Sequence, residues 1–238
     1  MIFRTLLGLV VLAPLPFASV YPWSWSLIAC VVGLLLVAWT FGHLISGERP
    51  EIGLSRTWPL LLLFLPVSGW AAIQSSTLAL EGWYHPLWNS AATALDTGLA
   101  GRVSLNPEAT QSALLRLLSY GGIFWLALQY GREPEKARVA VYALAAAGFL
   151  YAAYGLAVQF TDARQILWYE KFAYLNDLTS TFVNRNSYAT YAGLTLVCIS
   201  GLLIKLAVDD IAGHHSRRER LRVLLEAGAA RGWLLLLA

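Results

Sequence analysis

Six stretches of this chain, residues 5–20, 23–44, 57–73, 114–130, 139–160 and 187–208, are apolar and nearly free of charge. A helix needs about 17 to 25 such residues to cross the hydrocarbon core of a bilayer, so each stretch is a candidate span, the first and third at the short end. A further run opens at Gly232 and reaches only Ala238, which predicts the start of a seventh span belonging to a longer protein. Composition agrees: 58% of the residues are hydrophobic and 13% charged, against about 25% charged in an ordinary soluble domain. The expectation is an all-α, polytopic integral membrane protein, residues 1–238 forming a single transmembrane helical domain. The run after Arg4 resembles a signal peptide, but no small-x-small cleavage site follows and a full span begins almost at once, so it reads as a span.

Lys and Arg near span ends are retained on the cytoplasmic side. With the N-terminus inside, the inner segments hold twelve of the seventeen basic residues, and the outer ones hold Arg102, Arg116, Arg164, Lys171 and Arg185. This places segments 74–113 and 161–186 outside as periplasmic loops, both rich in the aromatic residues that settle at headgroup level. Segment 209–231 becomes a cytoplasmic basic loop. Its Ser216-Arg217-Arg218-Glu219 is a capping-box pattern for a helix to about Leu225, suited to anionic inner-leaflet lipid.

Breakers and caps refine the helices, and Pro14 and Pro16 are expected to shorten the helix of the first run. Pro66 falls inside the third run and is expected to free the carbonyl of Leu62 and bend the helix. Asn106-Pro107-Glu108 is a helix start of standard chemistry, with an N-cap Asn, Pro at the first position and an acid in the first turn. Gly148 with Ala152, and Ala189 with Gly193, lie four apart and allow close helix approach. Cys30 and Cys198 lie within apolar runs and read as small apolar groups. The four histidines have no metal-ligand spacing, so no metal is expected. His85, followed by Pro86 among outward aromatics, is a weak candidate for a base; incidental placement is the plainer reading.

The chemistry-bearing stretch is Phe182-Val183-Asn184-Arg185-Asn186-Ser187, at the mouth of the apolar run expected to begin as a helix at Ser187. Unpaired first-turn N–H groups and the positive end of the helix dipole, with an arginine beside them, suit a phosphate or diphosphate. The plainer reading is that Asn186 or Ser187 caps the helix while Arg185 reaches to headgroups. No run carries an Asp or Glu in its interior of the kind that ion-coupled transporters use. No P-loop or Rossmann glycine pattern is present, so no cofactor and no nucleic-acid partner is expected.

The stretch Thr179-Ser180-Thr181-Phe182-Val183-Asn184-Arg185-Asn186-Ser187-Tyr188-Ala189-Thr190-Tyr191 resembles the opening of the membrane region of the O-antigen ligase and polymerase superfamily. Residues 103–118, around Asn106-Pro107-Glu108 and Arg116, are similar to the segment before a span in those proteins. The resemblance implies a bacterial inner-membrane glycosyltransferase. Such an enzyme moves a glycan from a polyprenyl-diphosphate carrier to an acceptor hydroxyl, such as that of lipid A–core, on the periplasmic face and without a metal. Its partners would be the carrier-linked glycan, the lipid acceptor and membrane lipids.

A metal-free site must stabilise the departing diphosphate with cationic donors, which Arg supplies in a planar fork. Arg185 is then the first donor-diphosphate candidate, with Asn184 and Asn186 orienting phosphate oxygens, and Arg164 and Arg116 as further candidates. The catalytic base stays unassigned, because the family pattern places its main outward loop after later helices. The outward segments carry His85 and the carboxylates Glu81, Asp96, Glu108, Asp162, Glu170 and Asp177. Alternatives are a polymerase or protein-glycosylating ligase of the same superfamily and, from another class, a transporter of small anions such as bicarbonate.

The basic-residue distribution makes a topological prediction. Cysteines introduced at Trp88 or Trp168 should react with an impermeant thiol reagent added from outside intact cells. Reaction only after the cytoplasm is opened would reverse the orientation.

Overall fold

The structure, a computed structural model, describes residues 1–161 and 164–212. The helix expected from Ser216 to Leu225, the apolar run from Gly232 and the carboxylate of Asp162 lie outside the described residues. The order is α1 (Ile2–Leu12), α2 (Pro22–Ser46), α3 (Leu54–Ser75), α4 (Leu87–Leu95), α5 (Pro107–Tyr130), α6 (Pro134–Phe160), a hairpin of β1 (Gln165–Ile166) and β2 (Tyr169–Glu170), and α7 (Arg185–Ala212). Among the described residues four helices are long and apolar enough to cross a membrane: α2, α3, α6 and α7 over Arg185–Leu206.

Two of the six expected spans differ from that set for local reasons. α1 has 11 residues, about 16 Å of helix, roughly half of a bilayer core. It ends ahead of Pro14 and Pro16, whose rings lack the N–H that a continuing helix needs, and Phe17, Ala18 and Ser19 then take left-handed backbone angles (φ 55°, 54° and 55°), a conformation that costs L-residues about 1–2 kcal/mol each. Burial of Phe17 and a 2.7 Å hydrogen bond from Ser19 Oγ to the Ala13 carbonyl hold that turn. α5 is long enough at 24 residues, but Gln111, Ser112, Arg116, Ser119 and Gln129 lower its hydropathy. Its start is as expected: Asn106 Oδ1 accepts from the Ala109 N–H at 3.0 Å, with Pro107 in the first turn. α3 runs through both Pro59 and Pro66 without interruption.

The chain divides into two compact units. Among the described residues one holds 25–132 and the other 3–24 with 133–161 and 164–212. In the first, α5 packs on α3 and α2 through Gly121 and Gly122, where an added Cβ would come within 2.7 Å of Phe64 and of Val32. Trp39 of α2 meets Trp125 of α5 edge to face. Buried Gln129 closes the other end of α5: its Nε2 donates to the Ile52 carbonyl at 3.0 Å and its Oε1 accepts the Ile52 N–H at 3.1 Å. That pairing satisfies a loop backbone that lacks helical partners.

In the second unit α6 packs on α7. Gly148 and Ala152 are buried there, and Thr195 of α7 occupies the space a Gly148 side chain would need. Ala189 and Gly193, expected to serve similarly on α7, are exposed, with nothing near Gly193. Tyr151 of α6 donates its hydroxyl to the Val11 carbonyl at 3.0 Å, tying down α1. Gly148→Leu should therefore destabilise the protein by about 1–3 kcal/mol through overpacking, whereas Gly193→Leu should not. Thermal denaturation in detergent measures both, and equal midpoints for the two variants would refute this packing.

Candidate functional site

Residues 164–184 connect α6 to α7 and form an ordered strap on their own unit. β1 and β2 pair antiparallel, Gln165 opposite Glu170 and Ile166 opposite Tyr169. The turn between them needs Leu167 at φ 56°, and its N–H donates to the Tyr154 hydroxyl of α6 at 2.6 Å. The Phe17 ring meets Trp168 and Tyr169 edge to face at 5.9 and 5.5 Å. Such contacts between an aromatic edge and face are worth about 0.5–1.5 kcal/mol beyond area burial.

The strap's second half is held by hydroxyls. Thr179, Ser180, Thr181 and Phe182 are all buried. Ser180 Oγ donates to the Tyr151 carbonyl of α6 at 2.6 Å, and Thr181 Oγ1 to the Pro14 carbonyl at 2.8 Å. Gly155 on α6 allows that approach, since a Cβ there would come within 3.0 Å of Ser180. The strap then delivers the chain to α7. The helix begins two residues earlier than expected, at Arg185, because Asn184 is the residue that caps it: Asn184 Oδ1 accepts the Asn186 N–H at 2.8 Å. The cap occupies an oxygen of Asn184, while Asn186 is exposed in the first turn.

Arg185 thus sits on the first residue of α7, where the helix dipole disfavours a cation. Asp177 offsets that placement. The Arg185 Nη1 donates to both carboxylate oxygens, at 3.1 and 3.3 Å, and the guanidinium lies 5.5 Å over the Tyr174 ring. The side chain is 55% exposed, so an isolated ion pair of this kind stabilises by less than about 1 kcal/mol. Nη1 is the only Arg185 nitrogen engaged among the described residues.

Asp177 is itself placed by Lys171. Although a lysine, Lys171 is 7% exposed, and its Nζ donates to the Asp177 carbonyl oxygen at 2.7 Å. Burial pushes its ammonium below the ordinary value, and the charge of Asp177 opposes part of that shift. Lys171 and Asp177 carry roles that the sequence reading did not assign. The available signals were a lysine embedded among Trp168, Tyr169, Phe172 and Tyr174, and an acid eight residues before Arg185.

The other named residues lie elsewhere. Arg164 is exposed beside the hairpin, where its carbonyl accepts the Lys171 N–H at 2.8 Å. Arg116 and His85 belong to the unit of residues 25–132. Nδ1 of His85 accepts the Leu87 N–H at 3.2 Å at the start of α4. Among the described residues no three His, Cys, Asp or Glu side chains gather as metal ligands would.

No family model and no curated protein matches this chain, and no solved structure matches its fold.

Lys171 makes the strap pH-dependent in a definite direction. Between its lowered value and the ordinary 10.5, the unfolded chain binds the proton that the folded one releases, so stability rises with pH across that window. Limited proteolysis of residues 164–184 from neutral pH to 10.5 should show increasing resistance in the wild type and a flatter profile in Lys171→Met. Falling resistance in the wild type relative to Lys171→Met would contradict the assignment.

Proposed function

We propose that the chain is a polytopic protein of the bacterial inner membrane, N-terminus cytoplasmic, that acts as an O-antigen ligase-like glycosyltransferase on the periplasmic face. Arg185 is the donor-diphosphate contact. The observation supporting this reading is an exposed arginine at the first turn of an apolar helix, presented by a strap whose backbone is fixed by buried hydroxyls. Orienting the cation before substrate arrives lowers the reorganisation that charge development would otherwise require.

In the reaction the acceptor hydroxyl oxygen bonds to the anomeric carbon of the glycan. The bond from that carbon to the diphosphate oxygen breaks, and the electron pair departs with the diphosphate. Arg185 and the first-turn N–H groups stabilise the charge that develops there. The acceptor proton passes to a base not assigned among the described residues. A diphosphate carries more charge than Asp177 and can engage the guanidinium nitrogens that the carboxylate leaves open.

In a cell dependent on this protein for glycan transfer, Arg185→Ala should lower transfer at least about 100-fold, the scale for losing a charge-stabilising donor. Membrane abundance should be unchanged, because the side chain is exposed. Arg185→Lys should recover only part, since a point charge does not reproduce the fork. Transfer at the wild-type level by Arg185→Ala would reduce the residue to a surface anchor.

A further inference from the structure

The nine residues of α4 carry no charge. At about 100° per residue its polar side chains, Asn89, Ser90 and Thr93, gather on one arc, and the apolar ones fill a contiguous arc of roughly 160°. One edge of the apolar arc meets the helix's own loop, where the Trp88 Nε1–H donates to the Ser104 carbonyl at 3.2 Å. The rest of it, from Ala94 through Leu87 to Leu95, is bare: Leu87 is 55% and Leu95 65% exposed, and Ala94 is exposed beside them. The chain that carries α4 is ordered. The His85 N–H donates to the Arg102 carbonyl at 2.9 Å, the Tyr84 hydroxyl to the Thr77 carbonyl at 3.1 Å, and the Tyr84 ring fills the space that a side chain at Gly101 would need.

The level of α4 is fixed as well. The Ser104 N–H donates to the Gln74 carbonyl in the last turn of α3 at 3.0 Å. Through Trp88 and Ser104, therefore, the start of α4 stands beside the end of a helix long and apolar enough to cross a membrane. One turn earlier on α3, Trp70 meets Trp83 with ring centroids 5.8 Å apart. Tryptophans at the end of a span settle at headgroup level.

We propose that α4 lies flat in the headgroup region of the leaflet that α3 exits, with Leu87, Ala94 and Leu95 turned into the acyl boundary and Asn89 and Thr93 toward water. The partner of this face is the lipid surface. A helix without charge is held there by its apolar area rather than by attraction to anionic lipid, and the hydrogen bond at Gln74 supplies the tether that nine residues need. The inference rests on α3 being a span and is independent of Arg185 and of glycan transfer.

The test uses the full chain with Cys30→Ala and Cys198→Ala, reconstituted in phosphatidylcholine vesicles, with an environment-sensitive fluorophore on one introduced cysteine at a time. All four positions in α4 are exposed, so the substitutions remove little packing. Probes in Leu87→Cys and Leu95→Cys should be blue-shifted and should lose at least half of their emission to phosphatidylcholine brominated near the glycerol end of its acyl chains. Probes in Asn89→Cys and Thr93→Cys should show neither effect. Leu63→Cys, exposed and midway along α3, is the control for the span and should be quenched by lipid brominated near the chain ends. Quenching at Leu63 with none at Leu87 and Leu95 overturns the proposal and leaves α3 as a span. No quenching at Leu63 removes the span and the proposal with it. Blue-shifted emission at Leu87 and Leu95 without quenching also overturns it, since protein, a second copy of this chain included, would then cover the face. So does equal quenching at Asn89 and Thr93, which would mean a helix immersed on all sides.

Discussion

The arrangement around α7 depends on two side-chain hydroxyls that satisfy backbone carbonyls. Ser180 Oγ on Tyr151 and Thr181 Oγ1 on Pro14 fasten one short segment to α6 and to the turn after α1. An unsatisfied buried polar group costs about 1–3 kcal/mol, and more where water is excluded. These bonds also carry a conformational cost, because Ser180 is held at φ 49°. The strap between them and the hairpin is therefore ordered without a helix or a large sheet, and it sets the angle at which the chain enters α7.

That entry places opposing demands on Arg185. Its position at the first residue of α7 puts a cation against the positive end of a dipole, and Asp177 relieves the conflict with a salt bridge at 3.1 Å. The acid is held from its backbone by Lys171 rather than from its carboxylate, so the carboxylate can leave Arg185 without dismantling the turn. Under the proposed function, the ligand that displaces this carboxylate carries the greater negative charge. The same geometry accounts for why a lysine is buried in the strap: its ammonium serves the loop, and its burial depresses its proton affinity.

Much of this was legible in the residues. Asn106-Pro107-Glu108 specified the start of α5 through local chemistry alone, and Gly148 with Ala152 marked the face of α6 that meets α7. The start of α7 was misplaced by two residues because Asn184 and Asn186 are equally good caps, and only the path of the strap selects Asn184. Pro14 and Pro16 marked the shortening of residues 5–20, and α1 stops at Leu12 just before them; the left-handed turn at Phe17–Ser19 left no mark on an apolar average. Arg185 was visible as a cation at a helix mouth. Asp177 and Lys171 were not, because their roles arise from a turn that brings separated residues together through space.

The central proposal is that Arg185 is the contact for the donor diphosphate, in competition with the Asp177 carboxylate it pairs with. The most direct measurement is calorimetric titration of the purified protein with farnesyl diphosphate, comparing wild type, Asp177→Asn and Arg185→Ala. Removing the competing carboxylate charge should tighten binding about tenfold, equivalent to roughly 1.4 kcal/mol, while Arg185→Ala should abolish it. Equal affinity in all three proteins, or weaker binding by Asp177→Asn, would contradict the account.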